Sequence, residues 1–145
     1  MTKNDLLLKK AIYMSIIILS ISYILFGIGI IFVTFSQLAV IPILASLILV
    51  VLSTISIFIC TIIMLVKICT MENIETGDKV LWAALTYLFN SFVLPFSFNK
   101  MIAKTNDNKA AIKLVIFEGI SIVTMMILYL IFFARMTELL KYKIL

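Results

Sequence analysis

Three stretches of this chain, residues 11–35, 38–66 and 80–98, contain no charged residue, and a fourth, 110–134, is interrupted only by Lys113 and Glu118. A helix that crosses a hydrocarbon layer about 30 Å thick needs roughly 20 apolar residues. Runs of 25, 29, 19 and 25 residues meet that need, the third only just. Composition removes the alternative of a water-soluble core: 64% of the 145 residues are hydrophobic and 13% charged, against about 45–50% and about 25% in soluble domains. A soluble fold of this size buries only about 68–70% of its unfolded surface, so much apolar area would face solvent. That solvent must be lipid. The expected fold is all-α: a polytopic integral membrane protein forming one membrane domain over 1–145, with four transmembrane helices, short loops and an interfacial C-terminal helix in the polar tail 135–145.

The boundaries carry local signals. The first run has no A-x-A site and is far longer than a secretory apolar region of about 7–15 residues, so it reads as an uncleaved span. Ser36-Gln37 is the only polar break before the second run, and Pro42 suits a first-turn position, where its missing N–H costs nothing. Asp78 is the expected N-cap of the third helix. Pro95 is expected to end or kink that helix near the interface. In the tail, Met136, Leu139 and Leu140 can lie on the headgroup boundary while Arg135, Glu138 and Lys141 face water.

Orientation follows from Lys and Arg placement. With four full spans, the N-terminus, the loop 67–79 and the tail share eight of the twelve cations, and the loop 99–113 holds four. Both termini are then expected in the cytoplasm, in a multi-pass protein of the cell membrane. If 80–98 dips in and returns, the split becomes nine against three. Four full spans are expected because a broken backbone at membrane depth needs protein or water around it, and a small bundle offers little cover.

The same totals remove classes of chemistry. The chain has no His, so imidazole bases, His metal sites and Ser-His or Cys-His pairs are excluded. Cys60 and Cys69 lie nine residues apart, roughly 13 Å of helix rise, too far for a disulfide within one helix. They read as apolar fillers. No cofactor and no metal are expected. The net charge of +5 comes from cations at span ends, a pattern of headgroup contact rather than of nucleic-acid binding. Trp82, Tyr13, Lys9, Lys10, Arg135 and Lys141 are the expected interface anchors.

Glu118 is the one ionisable residue well inside a run. An intramembrane charge costs about 2.5–3.5 kcal/mol even on a lenient scale, so it needs a partner or a proton. Ser121 and Thr124 follow it at i+3 and i+6. On the third run Thr86, Asn90 and Ser97 share a face. Asn90 lies eight residues before Phe98 and Glu118 eight after Ala110, so antiparallel packing would bring them to one depth. Two readings follow. Either a protonated Glu118 is glued to Asn90, or Glu118 is a proton-linked or cation-binding carboxylate. Small multidrug antiporters also have four short helices and one membrane Glu, but theirs lies in the first helix, which here has none.

The segment from about Leu49 through the charged loop to Lys79-Val80-Leu81-Trp82 and Leu94-Pro95-Phe96 resembles the N-terminal membrane hairpin of phospholipase D type cardiolipin synthases, which recurs in many small bacterial membrane proteins. Trp82 and Pro95 match its Trp and Pro, while Ser97 and Phe98 stand where Gly and Tyr usually follow. The resemblance covers a third of the chain and implies a hairpin without catalytic residues. The expected function is non-enzymatic: an accessory, immunity-like or complex-stabilising subunit acting by helix contacts in the bilayer. Its partners would be lipid and another membrane protein, a membrane-active peptide or itself. The alternative is a small proton-coupled transporter or holin-like pore former using Glu118. Lys, Ile and Asn richness points to a bacterial source.

Overall fold

The computed structural model of the chain describes residues 2–33, 40–72 and 74–144; the expected break at Ser36-Gln37 lies outside them. Among the described residues there is no strand. The elements are α1 (Lys3–Val33), α2 (Val40–Thr70), α3 (Thr76–Ser97), a π-helical turn (Phe98–Ile102) that continues α3, and α4 (Lys109–Ile144). Four helical segments are long and apolar enough to cross a membrane. Pro42 falls in the first turn of α2, as its chemistry requires. Asp78 does not cap α3: the helix starts two residues earlier, Glu75 takes the cap position, and Asp78 sits in the first turn, where a negative charge still favours the helix dipole.

Two polar contacts fix α1 against α2 in antiparallel register. Asp5 Oδ1 accepts from Lys67 Nζ at 2.6 Å, and the Ser15 and Ser56 hydroxyls meet at 2.6 Å. Thr2 and Asp5 form a reciprocal N-terminal cap, with the Thr2 N–H donating to Asp5 Oδ2 at 2.8 Å and the Asp5 N–H donating to Thr2 Oγ1 at 3.2 Å, which satisfies donors left open at a helix start. α4 runs parallel to α1. Gly27 packs against Met125 and Leu128 far along α4, while Tyr13 neighbours Asn99, whose Nδ2 donates to Asn108 Oδ1 just before α4 begins.

The third segment departs from expectation. Asn90 has φ 35° and ψ −109°, outside helical geometry, and the Thr86 and Ser97 hydroxyls, both fully buried, are 2.5 Å apart. Eleven residues of straight helix would separate them by roughly 16 Å. The chain therefore reverses at Asn90. The start and finish of the segment confirm it, because Glu75, Asp78 and Trp82 line the same cleft as Lys100, Met101 and Lys104. The expected single crossing by 80–98 is corrected to a helical hairpin. The bend lies at Asn90, whose φ and ψ fall outside both helical wells, and not at Pro95, which sits buried in the returning limb. The cover that a reversed backbone needs comes from α2 and α1, with α4 adding Leu114: Ile57, Met64 and Ile68 form one buried cluster with Ile12, Ile16, Leu94, Phe98 and Met101.

Two consequences follow for the ends of the bundle. The α1 start, the α2 finish and both mouths of the hairpin gather at one end, since Asp5, Lys67, Ile74 and Lys104 line one cavity. α4 starts from that end and runs once to the other, which places its C-terminal turns opposite the start of α1 and not beside it. The helical periodicity expected of the tail is present as a continuation of α4, unbroken to Ile144.

Candidate intramembrane polar site

The tip of the hairpin brings α2 and α4 into one polar neighbourhood. Thr61, on α2, places its hydroxyl 2.6 Å from Asn90 Oδ1 and 2.9 Å from the Ile57 carbonyl oxygen, so its single proton serves one acceptor at a time. Asn90 is thus held by Thr61 and not by Glu118. The expected Asn90–Glu118 pair is not formed, because the reversal at Asn90 turns that side chain toward α2 and leaves the next residue, Ser91, facing α4. The Ser91 side chain lies beside the Glu118 carboxyl.

Glu118 is 1% exposed, and its Oε2 is buried with no hydrogen-bond partner. Tyr23, on α1, lies close enough to interact electrostatically with the carboxyl. Ser121, one turn on, is fully buried but donates back to the Phe117 carbonyl oxygen at 2.8 Å, so its hydroxyl is turned into its own helix. Thr124 is half-buried. The carboxyl is therefore enclosed on three sides, by α1, the hairpin tip and its own helix, with one oxygen open. A carboxyl so placed can hold a proton, with Ser91 as the adjacent hydroxyl able to donate or accept. Among the described residues no group of three or more His, Cys, Asp or Glu is placed to hold a metal. Cys60 is buried and Cys69 exposed, both as free thiols.

The remaining sequence-derived residues fall elsewhere. Thr86 and Ser97 do come together, as the bond that closes the hairpin rather than as a stripe on one helix face. Trp82 is half-buried near the hairpin mouth and shares a cleft with Lys100. Tyr13 carries the Lys9 Nζ 5.8 Å above its ring, and its hydroxyl is buried without a hydrogen-bond partner. Lys10, Arg135 and Lys141 are exposed. Sequence reasoning missed Thr61, Ser15, Ser56 and the Asp5–Lys67 pair. A hydroxyl every few residues along an apolar helix is common and marks no partner by itself; only the antiparallel register of α1 and α2 reveals which of them meet. No protein-family model, no curated protein and no solved structure matches this chain.

Proposed function

We propose that the chain is a non-enzymatic, multi-pass protein of a bacterial cell membrane, and that Glu118 is a proton-exchanging carboxyl of a small proton-coupled transport protein. The observation that carries this reading is the meeting of Glu118 with the tip of a hairpin broken at membrane depth. Non-helical backbone there is tolerated where it is enclosed by protein or lines a cavity, and ionisable residues inside a bilayer mark ion and proton pathways. Asn90 Oδ1 accepts from Thr61, so the polar contact of Glu118 with the hairpin runs through Ser91 instead. Lysines support the orientation: nine of the twelve cations, including the four from Lys100 to Lys113, belong to the end where α1 starts, and three belong to the tail of α4. By the positive-inside rule the N-terminus is cytoplasmic and the C-terminus external.

The test is infrared spectroscopy and flux on reconstituted protein. A protonated-carboxyl band that titrates with bath pH and vanishes in Glu118→Gln, together with proton flux lost in that variant while its helicity and melting stay unchanged, is the expected result. A band that never titrates, with flux equal in both proteins, sinks the reading. The accessory-subunit reading is favoured by a different feature: from Phe133 to Lys141 every residue of α4 is exposed, a projecting element suited to a partner. A stoichiometric membrane protein co-purifying with the wild type, and lost when residues 135–145 are removed, would support it.

A further inference from the structure

The outer face of the α1–α2 pair, away from the hairpin, holds a groove of about 650 Å³. Its wall on α2 runs from Leu52 to Lys67, roughly 22 Å of helix rise, against roughly 15 Å for one leaflet of a hydrocarbon core about 30 Å thick. The wall on α1 is formed by its first turns, including Asn4, Leu7 and Ala11. Between its ends the groove is apolar. Its one interior hydroxyl, Ser56, is already engaged with Ser15, so nothing within it asks for a polar ligand. The end is different: Asn4 and Lys67 lie together there, at the end of the bundle that gathers nine of the twelve cations against five of the seven acids, and Lys3 and Lys10 are exposed on the same first turns of α1.

From that geometry we infer that the groove is a binding site for one anionic phospholipid, with an acyl chain along Leu52–Ile63 and its phosphate at Lys67 and Asn4. A chain seated there is apolar along its length and charged at one end, and so is the groove. Among the described residues Lys67 is the one charged residue lining the groove, and with Lys3 and Lys10 exposed nearby it favours an anionic headgroup, at the end that the proposed orientation places in the cytoplasm. Lys67 spends one of its three donors on Asp5 Oδ1 at 2.6 Å and remains 35% exposed on its side chain, which leaves donors for a phosphate oxygen. Asp5 then acts as a tether that holds the ammonium at the groove mouth and partly offsets its charge.

Native mass spectrometry of the full chain in detergent tests this, with dioleoyl phosphatidylglycerol and dioleoyl phosphatidylcholine as probes. The wild type should retain one phosphatidylglycerol at least tenfold more tightly than phosphatidylcholine. Ala11→Phe, at an exposed position, fills the groove without altering charge and should lower retention of both lipids by tenfold or more. Asp5→Asn should raise the preference for phosphatidylglycerol, and the neutral pair Asp5→Asn with Lys67→Gln should abolish it. Equal retention of the two lipids by the wild type, or full retention by Ala11→Phe, overturns the inference. So does a wild type found as a dimer that Ala11→Phe dissociates, because the groove would then be filled by a second copy. Melting temperatures recorded on the same samples separate loss of the site from loss of the fold.

Discussion

Replacing Asn90 by Ala and by Gly distinguishes a reversed chain from a straight helix by sign, independently of any absolute stability. In a straight helix Gly is about 0.8–1 kcal/mol worse than Ala. At φ 35° the order reverses. A side chain with a Cβ costs about 1–2 kcal/mol in the left-handed region, while Gly enters it freely. Both substitutions also lose the bond from Thr61 to Asn90 Oδ1, and interhelical polar contacts in membranes are worth about 0.6 kcal/mol on average and at most about 1.7. Asn90 already carries a Cβ at this φ, so Asn90→Ala loses mainly the contact, about 0.6–1.7 kcal/mol. Asn90→Gly offsets that loss by the recovered Cβ cost and should come out about 1–2 kcal/mol more stable than Asn90→Ala. Unfolding in mixed micelles titrated with dodecyl sulfate resolves a difference of that size. If Asn90→Ala is the more stable of the two, Asn90 is helical and the hairpin is wrong.

A double-mutant cycle on Thr86→Val and Ser97→Ala should give a coupling of about 0.5–1.7 kcal/mol, since the hydroxyls are in contact, whereas residues roughly 16 Å apart on a straight helix would act additively. Single cysteines at Lys3 and Asn106, in a background free of Cys60 and Cys69, should react with an impermeant maleimide from one side of the membrane and a cysteine at Glu138 from the other; Glu138 reacting with Lys3 would refute the parallel course of α1 and α4. A methyl group on Gly27 would come 2.8 Å from Leu128 Cδ1, the mobile end of a side chain, and 3.4 Å from Met125 Cα, whereas one on Gly119 meets nothing within 4 Å. Gly119→Ala should thus be neutral or stabilising by up to about 1 kcal/mol, and Gly27→Leu, too large for Leu128 to accommodate, should lower the melting temperature and loosen α1 from α4.

The long apolar helices were legible because a length sufficient to cross a membrane shows in the sequence: within the described residues α1, α2 and α4 cover the apolar runs that begin at Ala11, Leu38 and Ala110. The hairpin was not legible, for a reason that lies in helical geometry. Residues at i and i+11 fall on one face of a straight helix, since eleven residues make close to three turns. They can equally face each other across a reversal. Thr86 and Ser97 therefore satisfy both structures, and the pattern alone does not choose between them. Asn90 stands between the two hydroxyls, and its side chain accepts the Thr61 hydroxyl proton at the reversal. The lysines carried the deciding hint: Lys100, Lys104, Lys109 and Lys113 divide the charge more sharply when the segment returns to the side it entered from.

The partner of Asn90 was hidden by a second ambiguity. Thr61 bonds to the Ile57 carbonyl of its own helix, as Ser and Thr in apolar helices commonly do, so a sequence reading sees it as already satisfied. Its oxygen also lies against Asn90, and the proton it shares makes it a receptor for the hairpin tip at little cost in either state. Once α2 supplies that contact, Asn90 has no need of Glu118. The carboxyl is left with Ser91 and an open oxygen in a site closed by three elements. A purely structural glutamate would be expected to satisfy both oxygens, because a buried acceptor without a donor costs about 1–3 kcal/mol. Among the described residues Glu118 shares an unpartnered buried atom with Tyr13 and Asn99, and what separates it from them is that it is a carboxyl placed beside the reversal at Asn90.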